Sequence, residues 1–267
     1  MKKTFVILEQ GCELNYPLTV KHKEQFNTEF SDCFRLNWKA DTNDKNADFF
    51  KTDICWSEGR SYLYEQVKGK YDYYIFIDDD IDITSNTDRS AAEEIKFILE
   101  TYKPIHGSIP NNMWPKFQSL GEYSSEVHKM FSGDLCIQIF HENYANLMFP
   151  TWVHGSGGSM WYAQFIAHVL YPNRSLYLNT LRGSNIRSTH HEDDEIAHKN
   201  QPAEKFHNAL KNKYHQDMFL KWGWEDHQYY YNEQSKSYVE GYNLEQPEYI
   251  AIDEQEIINL IKHRIDI

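Results

Sequence analysis

Three consecutive carboxylates, Asp78, Asp79 and Asp80, follow an apolar run at residues 73–77, and Asp82 comes two residues after Asp80. Carboxylates this close repel one another unless solvent or a cation compensates. Two carboxylates spaced i and i+2 at a strand end can share one Mg²⁺ or Mn²⁺, ions that proteins often hold with one or two carboxylates plus substrate phosphates. A solvated acidic turn is the alternative, but a buried strand directly before the cluster favours the metal and phosphate interpretation.

The elements that position this cluster follow from the pattern of apolar residues. The run at 73–77 lacks polar alternation, which predicts a central strand covered on both faces. Over the first 200 residues, strand-like and helical patterns alternate, which predicts an α/β fold with a mixed, mostly parallel sheet flanked by helices. Because open α/β sheets bind ligands at the carboxyl ends of their strands, the acidic cluster is expected to lie in the binding crevice.

The individual elements are predicted from the same patterns. Strands are expected at residues 4–9, 33–38, 73–77, 105–109, 135–140 and 176–181. Helices are expected at residues 57–67, 91–102, 158–171 and 254–264, the second of them behind a capping box formed by Ser90 and Glu93.

Composition narrows the class of protein. The 267 residues include 40 acidic and 27 basic ones, and the net charge of −13 argues against nucleic acid as the partner. No apolar stretch is long enough for a transmembrane segment, and the start lacks a secretory cleavage site. Four widely spaced cysteines indicate reduced thiols rather than a zinc site or a disulfide framework. We therefore expect a cytoplasmic protein, at most peripheral to a membrane.

Two phosphate chemistries use a similar strand end. The segment Asp80-Ile81-Asp82-Ile83-Thr84 fits the D-x-D-x-T pattern of haloacid-dehalogenase-type phosphatases, although earlier strands precede it and Gly133-Asp134 lacks the acidic partner of the later loop. A polymerase-β-type nucleotidyltransferase needs Gly-Ser before its Asp pair, whereas Gly155-Ser156 comes after it. The phosphatase and a non-catalytic nucleotide- or sugar-binding protein stay as alternatives.

Three motifs in order resemble the GT-A type of glycosyltransferase, in particular the large inverting family with DxD and ED motifs. The resemblance covers residues 4–200 and rests on Gly59-Arg60-Ser61 before the strand that carries Asp78-Asp79-Asp80, then Gly157-Gly158-Ser159-Met160, then Glu192-Asp193-Asp194-Glu195-Ile196. It implies a Rossmann-like GT-A fold and a metal-dependent transfer of a hexose or related sugar. The implied donor is a UDP-, GDP- or dTDP-linked sugar, and the implied acceptor is a glycan or a lipid-linked molecule.

The resemblance also implies roles for the cluster. Asp80 would ligate Mn²⁺ or Mg²⁺ at the diphosphate, and Asp78 would contact the ribose or a metal-bound water. Arg60 would add a second positive charge there, and His191 would be a further metal ligand.

A general base is implied beyond the cluster. Asp193 would take the proton from the acceptor hydroxyl and so give inversion of the anomeric carbon. Asp226, within the Trp222-Gly223-Trp224-Glu225-Asp226 acceptor-like motif, is the second candidate for this role. Glu9, Gln10 and Asp41 are candidates for the nucleobase pocket by position. One GT-A-like domain is predicted, with a nucleotide-sugar half at 1–110, an acceptor half at 111–200 and a C-terminal extension at 201–267.

Overall fold

A computed structural model describes residues 2–39, 42–111, 126–130, 136–150 and 174–187, together with residues 163, 167 and 171. The chain divides into two compact units, residues 1–200 and residues 201–267. All described residues belong to the first unit, so the predicted helix at 254–264 lies outside them. Within the described ranges, no helix has the length and apolar character needed to cross a membrane.

A mixed sheet forms the centre of the first unit. Among the described residues it has eight strands, which lie side by side in the order 49–50, 31–37, 3–11, 71–78, 137–141, 106–108, 175–178 and 127–129. The parallel half consists of β1 (Lys3–Gly11), β2 (Ser31–Asn37), β3 (Phe49–Phe50) and β4 (Tyr71–Asp78). The other half consists of β6 (His106–Ser108), β7 (Val127–Lys129), β8 (Ile137–His141) and β9 (Ser175–Leu178), with β8 antiparallel to β4. The predicted α/β class with a mixed, mostly parallel sheet is confirmed.

Four helices are described, and they flank the sheet. They are α1 (Pro17–Phe26), α2 (Trp56–Val67), α3 (Ala91–Tyr102) and α4 (Glu142–Met148). The predicted capping box of α3 forms, because the Glu93 amide donates to Ser90 Oγ at 3.3 Å and the Ser90 amide donates to Glu93 Oε2 at 2.9 Å. Only residues 163, 167 and 171 of the predicted helix at 158–171 are described, and Ala163 and Ala167 are fully buried.

The central strand β4 is covered on both faces, as its unbroken apolar run predicts. On the face toward α1 and α3, Tyr73, Ile75 and Ile77 join a continuous apolar core with Phe5 and Ile7 of β1. On the opposite face, the rings of Tyr74 and Phe76 pack with those of Tyr64, Phe140 and Phe149. Alternate residues of β4 therefore point toward different helices, which decides where the carboxylates that follow the strand can go.

The structure differs from the sequence prediction at several elements, including β3, β7 and α4, which were not predicted. The run predicted as one strand at 176–181 is two strands, because residues 179–180 turn and β10 (Leu181–Asn185) leaves the main sheet to pair antiparallel with β5 (Ile81–Ser85). Strand β5 was not predicted, because it is short and directly follows the acidic cluster, which was interpreted as a turn. Helix α1 was not predicted either, because two of its four buried residues are the polar Thr19 and His22.

Candidate nucleotide and metal site

The carboxyl ends of three parallel strands bring the candidate residues to one edge of the sheet. Gln10 of β1 pairs with Asp78 of β4, and the pairing extends one residue further where the Asp79 amide donates to the Gln10 carbonyl at 3.0 Å. Gly11 is aligned with Asn37, the last residue of β2. Ligands of open α/β sheets bind at this edge, so the acidic turn lies where the sequence predicted.

Asp78 points toward helix α2 and is held there by two donors. Trp56 Nε1 donates to its Oδ1 at 3.0 Å, and Arg60 Nη2 donates to the same oxygen at 3.1 Å. Burial raises the pKa of Asp78 above its ordinary value, while Arg60, Trp56 and Cys136 act in the opposite direction. The Asp78 side chain keeps 23% of its surface exposed, so it is anchored and still reachable.

Arg60 lies between helix α2 and the sheet rather than on an exposed helix face. Its guanidinium carbon is 3.8 Å from the centroid of the Trp56 ring and 5.7 Å from that of Phe76, and its side chain is 1% exposed. An arginine stacked on an indole gains cation–π attraction and keeps its N–H edge free to point at a carboxylate. Its geometry therefore presents one positive charge to Asp78. We call Trp56, Arg60 and Asp78 the Arg60 centre.

The glycine before Arg60 sets how closely α2 approaches β1. A Cβ atom added at Gly59 would lie 2.7 Å from the side-chain amide atoms of Gln10, closer than real Cβ contacts. Gln10 Nε2 donates to the Trp56 carbonyl at 3.0 Å and so ties the first turn of α2 to the strand. Gln10 is only 3% exposed, and in this structure its side chain fixes the position of Trp56 at the start of α2.

Asp79 turns to the opposite face of the sheet, toward α1. Its Oδ2 lies 3.2 Å from Nη2 of Arg35, and it fills the space beside Gly11, where an added Cβ would be 1.8 Å from that oxygen. Burial raises the pKa of Asp79 to about 7 against the opposing charge of Arg35, and the carboxylates around it add to the rise. Asp79, the middle carboxylate of the cluster, is thus largely buried beside Arg35 and separated from Asp78.

Arg35 connects five segments of the chain through contacts that the sequence did not suggest. It is fully buried. Its guanidinium contacts Glu9 Oε1 at 2.6 Å, Thr19 Oγ1 at 2.7 Å, the Glu13 carbonyl at 2.6 Å, Asp44 Oδ2 at 3.2 Å and Asp79 Oδ2 at 3.2 Å. We call Glu9, Thr19, Arg35, Asp44 and Asp79 the Arg35 cluster.

Glu9 belongs to the interior of this cluster. Its carboxylate also accepts from Thr19 and lies 2.6 Å from Nδ1 of His22, and its side chain has no exposed surface. Burial alone would raise the pKa of Glu9, but His22, Arg35 and Thr19 outweigh it and hold the pKa below its ordinary value. Glu9 therefore supports Arg35 from within, and no part of it is open to a nucleobase in this structure.

Asp80 directly precedes β5 and Asp82 lies within it, in the two-stranded sheet that β5 forms with β10. The Ile186 amide donates to the Asp80 carbonyl at 2.9 Å, so the chain after β10 passes beside the acidic turn. Asp82, in strand β5, accepts from Lys21 of α1 at 2.7 Å, and Thr84 in the same strand is exposed. Most of the D-x-D-x-T segment is thus one strand of a two-stranded antiparallel sheet.

Arg187 is a second cation at the acidic turn that the sequence did not single out. It is ion-paired with Glu13, and its guanidinium carbon lies 3.9 Å from the centroid of the Tyr16 ring. Burial first, then the charges of Asp79 and Asp80, raise the pKa of Tyr16, so this ring is close to the turn. No sequence signal marks Arg187, because the pairing of β10 with β5 brings it here.

Several predicted site residues lie outside the described ranges. These are Asp41, His191, Asp193 and Asp226, together with the motifs at 157–160 and 192–196. Among the residues that are described, no group of three or more His, Cys, Asp or Glu side chains is arranged to hold a metal ion. The donor set of Asp78 and Asp80 nevertheless fits Mg²⁺ or Mn²⁺, which accept carboxylate oxygens and take further ligands from water and phosphates.

Comparison with known proteins places the fold. The sequence matches no protein-family model and no curated protein. The structure is similar to the solved structure of GalNAc-T7 with UDP, GalNAc and Mn²⁺, with a TM-score of 0.54 and 8% identity, covering 98% of this chain and 55% of that one. The chain thus spans about half the length of that protein.

Two other solved structures match less closely. One is S. aureus TarS, with a TM-score of 0.45 and 11% identity over 66% of this chain and 35% of that one. The other is a glycosyltransferase involved in glycosylation of the major capsid of PBCV-1, with a TM-score of 0.36 and 10% identity over 73% of this chain and 99% of that one. From the GalNAc-T7 match, the chain has a GT-A-type fold, which confirms the fold that the sequence resemblance implied.

Proposed function

We propose that this protein is a metal-dependent glycosyltransferase that moves a sugar from a nucleoside-diphosphate sugar to a glycan or lipid-linked acceptor. The observation that supports it most is the acidic turn at the carboxyl edge of β4, where Arg60 and Trp56 anchor a partly exposed Asp78. In a GT-A-type fold this edge is the natural place for a diphosphate and its cation. The solved structure of GalNAc-T7 with UDP, GalNAc and Mn²⁺ has a similar fold.

The residues of this chain divide the work in that proposal. Asp80 and Asp78 hold Mn²⁺ or Mg²⁺, with His191 as a further ligand, and Arg60 keeps Asp78 oriented. When bound, the ion acts as a Lewis acid that stabilises negative charge on the departing nucleoside diphosphate. Arg187, partly exposed beside Tyr16, adds positive charge to an otherwise acidic surface.

The transfer itself needs a base. Asp193 accepts the proton of the acceptor hydroxyl as the acceptor oxygen bonds to the anomeric carbon and the bond from that carbon to the diphosphate breaks. Attack from the face opposite the leaving group inverts the anomeric carbon. Asp226 is the second candidate for the base.

Thermal unfolding with and without Mn²⁺ in the presence of UDP, GDP or dTDP tests the donor side. We expect at least one nucleotide to raise the melting temperature only when Mn²⁺ is present, because its diphosphate binds through the ion, and Asp80→Asn should abolish the effect. No nucleotide effect, together with release of phosphate from an aryl phosphate, would overturn the proposal in favour of the phosphatase.

The phosphatase has less support from the geometry. It requires Asp80 as nucleophile with Asp82 as its acidic partner, yet Asp82 of strand β5 is ion-paired with Lys21 of α1.

A non-catalytic binding protein would bind the nucleotide without transferring a sugar, so measured sugar transfer distinguishes it from a transferase. Asp193→Asn should leave nucleotide binding intact and lower transfer at least ~100-fold, the usual contribution of a general base. If Asp226→Asn has that effect instead, the base is Asp226.

A further inference from the structure

The middle carboxylate of the acidic turn is turned away from its neighbours by an arginine on the other face of the sheet. We propose that Arg35 is a positioning residue that keeps Asp79 out of the metal site, so that Asp78 and Asp80 alone face the ion and the diphosphate. The inference rests on the proposed function and deepens it, because it says how three adjacent carboxylates form a site for two.

The contacts of Arg35 make it a fixed support. They come from β1, from the loop after β1, from α1, from the loop after β2 and from the residue after β4, and Arg35 has no exposed surface. The loop after β2 is itself fixed, because Asp44 also accepts from Asn37 Nδ2 at 3.1 Å and from the amides of Asn15 and Asn46. A guanidinium held on so many sides cannot follow Asp79 if that side chain moves.

Asp79 is the least firmly held member of the Arg35 cluster. Its Oδ2 lies 3.2 Å from Arg35 Nη2, but among the described residues no donor forms an aligned hydrogen bond with that oxygen. Its side chain is 13% exposed, whereas those of Glu9 and Asp44 have no exposed surface. Asp79 therefore stays in place by charge and by the shape of its pocket.

Gly11 supplies that shape. An added Cβ at this position would lie 1.8 Å from Asp79 Oδ2 and 2.7 Å from Asp79 Cβ, so any larger residue must expel the carboxylate. The Asp79 amide is meanwhile bonded to Gln10, which keeps the backbone at the strand end. The expelled side chain must then turn toward the crevice, where it competes with the diphosphate for the ion and repels it.

Two substitutions release Asp79 by independent routes. Arg35→Lys keeps one positive charge but removes the guanidinium fork that contacts Asp79 and its other partners. Gly11→Ala leaves Arg35 intact and removes the space for the Asp79 side chain. For each we expect the dissociation constant of UDP, GDP or dTDP, whichever stabilises the wild type most, to rise at least ~10-fold with saturating Mn²⁺ in a calorimetric titration. Free Mn²⁺, followed by its aqueous electron paramagnetic resonance signal, reports metal binding separately.

Removal of the displaced side chain distinguishes positioning from general damage. Asp79→Ala alone should bind the nucleotide within ~3-fold of wild type, and the double variants Arg35→Lys/Asp79→Ala and Gly11→Ala/Asp79→Ala should recover to the same level. Gly107→Ala is the matched control, because Gly107 lies in strand β6, away from the turn. Its added Cβ would meet the carbonyl of Leu176 in strand β9 at 2.8 Å. It should lower stability without changing nucleotide affinity.

The outcomes separate the inference from the function on which it rests. If the wild type does not bind Mn²⁺, either alone or in the presence of any of the three nucleotides, both the role of Arg35 and the proposed function are overturned. A wild type that binds normally, with Gly11→Ala unchanged or with no recovery in its double variant, overturns the role of Arg35 and leaves the glycosyltransferase proposal standing. If Arg35→Lys does not fold, the Gly11→Ala pair decides the question.

Discussion

Two buried arginines on opposite faces of one sheet hold neighbouring carboxylates, and they differ in what surrounds them. Arg35 is 0% exposed and contacts the three acids Glu9, Asp44 and Asp79, whereas Arg60 is 1% exposed, contacts Asp78 and stacks on Trp56. The exposed fraction of each arginine is thus nearly the same. The carboxylates differ, because Glu9 has no exposed side-chain surface and Asp78 keeps 23%.

The difference teaches that arginine burial alone does not mark a ligand site. In the Arg35 cluster every charge faces another charge of the protein, so the cluster serves stability and positioning. In the Arg60 centre the aromatic stack supports the arginine, and the carboxylate it holds keeps part of its surface exposed. Variants of Arg35, Arg60, Trp56 and Glu9 test this difference.

Loss of Arg35 should have the largest effect, and that effect should be on stability. Arg35→Met leaves Glu9 and Asp44 buried without their cation, and removal of one partner from a buried ion pair costs about 3–5 kcal/mol. Arg60→Met should lower the free energy of unfolding by less, about 1–2 kcal/mol, because water reaches Asp78. Urea unfolding measures both, and equal losses for the two variants would erase the contrast.

Loss of Arg60 should instead act on binding. A charge-assisted hydrogen bond contributes about 1.5–3 kcal/mol, so Arg60→Met should raise the dissociation constant for nucleotide with Mn²⁺ about 10- to 100-fold by leaving Asp78 unoriented. Arg89→Met is the matched control, since Arg89 pairs with Glu94 at 2.8 Å on α3 and should leave nucleotide affinity unchanged. An unchanged affinity in Arg60→Met, measured by calorimetry, would contradict the role of the Arg60 centre.

The indole of Trp56 should make a smaller contribution. Trp56→Phe keeps a ring under Arg60 but removes the N–H that donates to Asp78 at 3.0 Å, a loss of about 1 kcal/mol, or roughly 5-fold in nucleotide affinity with Mn²⁺. Tyr64→Phe on the same helix is the control, because it removes a hydrogen bond to Asn146 of α4 and none to Asp78. Equal effects of the two variants would show that nucleotide affinity depends on the packing of α2 in general and not on the Trp56 N–H.

The acid stability of the Arg35 cluster should be the subtlest effect. The pKa of Glu9 is lowered in the folded protein, so its contribution to stability is present above its ordinary value of 4.5 and is lost as the pH falls through the folded pKa. The free energy of unfolding of Glu9→Gln should therefore fall less steeply on acidification than that of the wild type. For one group the two slopes differ by less than ~1.4 kcal/mol per pH unit. Urea unfolding between about pH 7 and pH 3 measures this slope, and parallel slopes for the two proteins would contradict it.

Local sequence patterns were enough for the elements around the site. The apolar run of β4, the first two parallel strands and the capping box of α3 are each encoded by a few adjacent residues, and all are present. Helix α1 and strand β5 were missed because polar residues occupy positions that tertiary contacts bury or pair. His22 and Thr19 look like surface residues until Glu9 and Arg35 lie against them.

The sequence by itself determined that an acidic cluster follows a buried strand, since both features are local. Which carboxylate points to which face was decided by the tertiary structure alone. Arg35, Gly11 and Arg60 come from three separate segments, and each contact with Asp78 or Asp79 depends on strand register and helix packing. Side-chain alternation along β4 sends the two acids to opposite faces, but only the folded chain places an arginine on each face to receive them.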